Sequence, residues 1–140
     1  MSTARAKVRH GLLLDALADP LDLNAVDWHV RQQNPSATPS EVQDETLEVI
    51  RSLVSDGLFR LGGSVVLGPH PGGVATEGER FVAWDHPLDH SIRKISHVYV
   101  KHYDDPERWM YSAYLQLTAE GEQLAQSLEQ KDIDSYRKYE

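Results

Sequence analysis

Between Thr38 and Gly57, Val42, Thr46, Val49, Ile50 and Leu53 recur at helical spacing, while Glu41, Asp44, Glu48, Arg51, Ser52 and Ser55 fill the opposite side. The spacing predicts one amphipathic helix with a buried face. Its ends are punctuated. Thr38 can cap the first turn, Pro39 fits the first helical position, and Glu41 stands three residues after Thr38, as a capping box requires. Gly57 supplies the left-handed residue that closes such a helix.

The same reading applies on either side. A first helix is expected from about Lys7 to Ala18, after a partly ordered lead-in, with Val8, Leu12, Leu13, Ala16 and Leu17 on its buried side. Asp19-Pro20 stops it, because a residue before proline is pushed out of the helical region. Asp22 caps a second helix to about Gln32, with Val26 and Val30 inward and Trp28 or His29 flanking them, and Asn34-Pro35 ends it. Three helices with a tight capped link, Ser36 to Pro39, fit a helix-turn-helix base.

Beyond Gly57 the pattern turns to strand. Leu58 to Leu61 is a short strand that Gly62-Gly63 is expected to break, and Ser64 to Leu67 pairs with it or extends it past a bulge. Gly68 to Gly73 reads as a flexible loop or wing tip, and Phe81 to Trp84 as another strand. Asp85-His86-Pro87 opens a fourth helix with Leu88, Ile92, Ile95 and Tyr99 inside and an outer Asp89–Arg93 pair. An extended reading of His97 to Tyr103 stands as its alternative. Asp104 to Glu107 is an exposed acidic turn. Alternation from Trp109 to Leu117 predicts a strand with Tyr111, Ala113, Leu115 and Leu117 on one face. Thr118 caps a last helix with Leu124, Ala125 and Leu128 inward. The polar tail from Lys131 to Glu140 can continue that helix, with Tyr136 and Tyr139 placed to dock on the body.

At 140 residues the chain fits a single domain: a helical base and first strand (1–61), an insert (62–110), a last strand and helix (111–130) and a polar tail (131–140). No apolar run approaches a spanning helix, and Asp15 interrupts the short apolar run after the basic N-terminus, so neither a membrane span nor a signal peptide is expected. The absence of cysteine excludes disulfides, thiol catalysis and cysteine zinc sites, and suits a cytoplasmic location.

Two segments resemble the winged helix-turn-helix superfamily. One is Ile50 to Leu61, where a Leu-x-x-Asp-Gly-Leu helix end, Leu53 to Leu58, leads into a strand. The other is Tyr114 to Ala125, where Leu117-Thr118-x-x-Gly121 leads from a strand into a helix. The layout is also similar to that of small actinobacterial winged-helix-like proteins of unknown function. The resemblance implies an α+β fold with a small antiparallel sheet and a wing, and in regulators of this type a DNA-reading third helix and a homodimer through the first and last helices. The departure is the wing. About 50 residues, Gly62 to Met110, separate its two strands and hold an extra strand and helix.

Charge then changes the functional expectation. The chain carries a formal −8, from 14 basic and 22 acidic side chains. Between Thr38 and Gly57, five acids (Glu41, Asp44, Glu45, Glu48 and Asp56) face one base, Arg51. A helix that enters a DNA groove needs cations and amides there, and each carboxylate against a phosphate costs energy. The expected function is therefore non-enzymatic protein binding, immunity- or antitoxin-like, with Glu41, Asp44, Glu45, Glu48, Asp104, Asp105 and Glu107 facing a basic protein partner. The alternative is a winged-helix transcriptional regulator contacting DNA through Arg5, Lys7, Arg9, Arg51, Arg93 and Lys94, with Lys101, Lys131, Arg137 and Lys138 as further cations. His86, His90 and His97 have a spacing that can bind zinc on one helix face, but Pro87 replaces the glutamate that zinc-protease helices carry. No nucleophile elbow or phosphate loop occurs, so no catalytic residue and no cofactor is expected.

Overall fold

The computed structural model describes residues 3–66 and 79–137. The loop expected at Gly68 to Gly73, together with Leu67, Lys138 and Tyr139, lies outside them. The chain is α+β. Among the described residues it has six helices and one four-stranded antiparallel sheet. In chain order these are α1 (Thr3–Asp15), β1 (Leu21–Asp22), α2 (Leu23–Gln33), α3 (Pro39–Ser55), β2 (Phe59–Val66), β3 (Glu79–Ala83), α4 (Leu88–Lys101), α5 (Pro106–Trp109), β4 (Tyr114–Leu117) and α6 (Ala119–Arg137). The sheet order is β1-β4-β2-β3. None of these helices is long and apolar enough to cross a membrane.

The helix α3 forms as its sequence dictates. Thr38 accepts from the Glu41 N–H at 3.2 Å, and Glu41 accepts from the Thr38 N–H at 2.9 Å. The Thr38 backbone N–H, and after it the Thr38 side chain, hold the Glu41 carboxyl below its ordinary range. Val42, Thr46, Val49, Ile50 and Leu53 are buried, and Gly57 turns the chain at φ 75°. Asp22 caps α2 by accepting from Ala25 N–H at 2.8 Å.

The two segments on either side of the sheet meet. Thr118 donates its hydroxyl to the Gly57 carbonyl at 2.6 Å and its N–H to the Leu58 carbonyl at 3.0 Å, and its oxygen accepts from Gly121 N–H at 3.0 Å. One threonine thus caps α6 and pins it to the turn after α3.

Several sequence expectations are corrected. Helix α1 begins at Thr3, not Lys7, because Arg5 and Arg9 tie its first turns to α3, and it ends at Asp15 in a turn before Pro20. The two-residue β1 is too short for a pattern to announce. Gly62-Gly63 does not break β2; Phe59 to Gly62 pairs with β4, and Gly62 to Val66 with β3. At Gly62 the strands press so close that a Cβ would lie 2.3 Å from the Val82 carbonyl oxygen. Of the two readings of His97 to Tyr103, the favoured helical one holds as far as Lys101, where α4 ends, and His102 and Tyr103 follow in a turn. Trp109 is not in a strand. Pro106 opens the one-turn α5, and Trp109 is buried there with its indole N–H donating to the Tyr103 carbonyl at 3.0 Å. Tyr111, read as inward, is exposed, and so is Leu124. Tyr136 does not dock on the body; it is 77% exposed on the continuation of α6.

Candidate functional site

The solvent side of α3 is set by its neighbours. On one flank, α1 lays two arginines four residues apart against it. Arg5 grips Glu45 with two bonds of 2.7 and 2.8 Å, and Arg9 reaches Asp56 at 2.8 Å and Ser52 at 2.9 Å. The Glu45 bond raises the Arg5 pKa above its already high value. On the other flank, α4 sends Asp89 to Arg51. That bond holds the Asp89 carboxyl below its ordinary range. Asp89 was expected to pair with Arg93 on its own helix, but Arg51 supplies the hydrogen bond instead.

What remains exposed along α3 is Pro39, Ser40, Glu41, Asp44, Glu48 and Ser55. The strip holds three acids and no base. It borders a cleft of about 350 Å³ between the end of α2 and α3, with Val30, Ala37 and Val42 among its lining and Glu41, Asp44, Glu45 and Glu48 at its edge. Four of the seven expected partner-binding acids are thus brought together. Glu45 is engaged with Arg5, and Glu41 serves the cap while standing exposed. Asp104, Asp105 and Glu107 are not in this cleft. They lie exposed, Asp104 and Asp105 on the turn from α4 to α5 and Glu107 in α5 itself, and Asp105 pairs with Arg108 at 3.1 Å.

The cations expected for DNA are largely engaged. Arg5, Arg9 and Arg51 are in ion pairs, and the Lys94 ammonium sits 4.3 Å from the centre of the Trp84 ring. Lys7 and Arg93 are exposed. The His86 and His90 rings lie 4.8 Å apart, both exposed, and His97 is exposed too. Among the described residues no group of three or more His, Asp or Glu side chains is placed to hold a metal ion.

One charged group escaped the sequence reading. Asp27, on the inner face of α2, is 1% exposed. Its carboxylate accepts from Arg31 Nε at 2.6 Å and from the Tyr99 hydroxyl at 2.6 Å. Burial and this carboxylate push the Tyr99 pKa up, and the same two causes push Tyr103 up to about 12. Thr46 of α3 turns its buried hydroxyl toward the same phenol. Tyr99, Tyr103 and Trp109 pack around the group with ring centres 4.8 to 5.6 Å apart. The network ties α4 and α5 to α2. An aspartate between Val26 and Val30, with an arginine four residues on, was the available signal. Compared with family models, curated proteins and solved structures, the chain matches none of them.

Proposed function

We propose that the chain is a non-enzymatic protein-binding module that presents the acidic strip of α3 to a basic partner. One observation carries the reading. The arginines nearest the strip hydrogen-bond Glu45, Asp56 and Asp89, so Glu41 and Asp44 face solvent without an ion-pair partner, and Glu48 beside them feels Arg5 and Arg51 only at a distance. The adjoining cleft suits an arginine or lysine, whose aliphatic stem can lie against the half-buried Ala37 while its head meets the carboxylates. Complementary charge of this kind speeds encounter and selects partners. A basic nuclease or toxin is the partner class such chemistry serves, which makes an immunity- or antitoxin-like role the specific form of the proposal.

The scaffold we infer is winged-helix-like. The order α1-β1-α2-α3-β2, with β4 between β1 and β2, is compatible with that arrangement, and β3, α4 and α5 then form an elaborated wing. A regulator on this scaffold would use α3 as its reading helix. That reading is the weaker one, because α3 offers phosphates three carboxylates and its arginine is held by Asp89.

A fluorescent duplex titrated across a salt series separates the two. The expected affinity at physiological salt is no better than roughly 100 µM, the weak end of non-specific binding. Submicromolar binding with a steep salt slope would overturn the proposal in favour of the regulator.

A further inference from the structure

Helices α1 and α2 leave an open groove of about 640 Å³ between them. It shares no residue with the cleft beside the acidic strip. Its aromatic wall is Trp28, 48% exposed on a helix whose other large apolar side chains are buried. The wall is held in place. The His29 ring stands perpendicular to the indole with centres 5.0 Å apart, and Asp15 fixes His29 at 2.6 Å. Gly11 of α1 gives that ring its seat, since a Cβ there would lie 2.7 Å from the imidazole. Glycine inside a helix weakens it, and here the missing side chain makes room for the ring.

The charge of the groove runs against that of the chain. No carboxylate lines it, although the chain carries 22 acids and a net −8. Asp15 and Asp132 pair instead with the groove's two histidines, His29 and His10. Lys7 lines the groove and is exposed, with no ion-pair partner among the described residues. One helical turn beyond Trp28 and His29, Gln32 and Gln33 add exposed amides. A half-exposed indole, amides that both donate and accept, and a cation thus line one groove. A flat ring stacks on an indole, a glutamine amide pairs with an adenine edge through two bonds, and a lysine holds a phosphate. An aromatic carboxylate would use the ring and the cation but leave the amide carbonyls unmatched. A nucleotide uses all three.

We propose that this groove binds an adenine nucleotide, with the base stacked on Trp28 and read by Gln32 or Gln33, and the phosphate on Lys7. The net charge repels a long polyanion, so the ligand is a free nucleotide and not a strand. The site is independent of the acidic strip on α3. An open groove buries only part of such a ligand, so the expected dissociation constant for AMP is on the order of 100 µM.

Titration of the isotope-labelled full chain with AMP, followed by NMR at the Trp28 indole N–H and the Gln32 and Gln33 side-chain amides, tests it. Trp28→Ala, read at the amides, should weaken binding at least about tenfold through lost stacking. Lys7→Glu should weaken it about tenfold by setting a carboxylate against the phosphate. Trp28→Phe keeps a ring and should stay within about fivefold of wild type. Adenosine and ribose phosphate, each lacking one half of the ligand, should bind at least about fivefold more weakly than AMP. Far-UV circular dichroism confirms that each variant is folded. No shift up to roughly 5 mM AMP, an affinity that ignores Trp28→Ala or Lys7→Glu, or naphthoate bound as tightly as AMP would overturn the proposal. An oligodeoxyadenylate bound more tightly than AMP would overturn the free nucleotide in favour of a strand.

Discussion

Replacing Asp27 with alanine is expected to destabilise the fold by about 3 kcal/mol, the scale seen when one partner of a buried charged network is removed. The carboxylate is buried, and two groups depend on it. Without it the Tyr99 hydroxyl, itself fully buried, has lost its acceptor, at a desolvation cost of about 1–3 kcal/mol. The Arg31 guanidinium loses its partner too, but it is half exposed and can turn to water, so its share is smaller. A cavity adds to the loss. Urea unfolding measures the sum, and a melting temperature lower by roughly 10 °C should accompany it. Tyr99→Phe should cost less alone, about 2 kcal/mol, and the double variant should lose less than the two singles added. A loss below about 1 kcal/mol for Asp27→Ala would mean that α4 is held to the base by apolar packing alone.

Gly121→Ala is expected to be at least as damaging, although alanine is the better helix former by about 1 kcal/mol. A Cβ at this position would stand 2.0 Å from the Leu58 carbonyl oxygen and 2.9 Å from its carbon. Both are backbone atoms, so no side chain can swing aside. The Leu58 carbonyl also accepts from Thr118 N–H, and Thr118 holds Gly57. To admit one methyl, the start of α6 must lift from the turn after α3, and those bonds lengthen together. A loss of about 3 kcal/mol or more is expected in thermal or urea unfolding, the upper end of overpacking penalties. An unchanged or raised melting temperature would show that α6 can shift freely on the sheet.

The helical base was legible because its signals are local. Thr38, Glu41 and Gly57 fix the ends of α3 by contacts within a few residues, and apolar spacing fixes its buried face. The Asp56-Gly57-Leu58 and Leu117-Thr118-x-x-Gly121 segments were legible as motifs, but what they do is settle against each other across about 60 residues. The misreadings share a cause: a distant contact outweighed a local pattern. Gly62-Gly63 looked like a break and is a point where strands press together. Trp109 alternates like a strand residue but is drawn into the core beside Tyr99 and Tyr103. The acids of the strip were visible in the sequence. That Arg5, Arg9 and Arg51 would be taken up by Glu45, Asp56 and Asp89 was not, because ion pairs between helices leave no spacing to read.

The most direct measurement of the strip's role is partner capture from a lysate of the native host, with wild type and a Glu41→Lys, Asp44→Lys, Glu48→Lys variant immobilised side by side and bound proteins quantified by mass spectrometry. Wild type is expected to retain a basic protein that the variant, still folded by circular dichroism, loses by at least about tenfold, a change of roughly 1.4 kcal/mol. Equal capture of the same protein by both, or capture of an acidic one, would contradict the assignment of this strip as the binding surface.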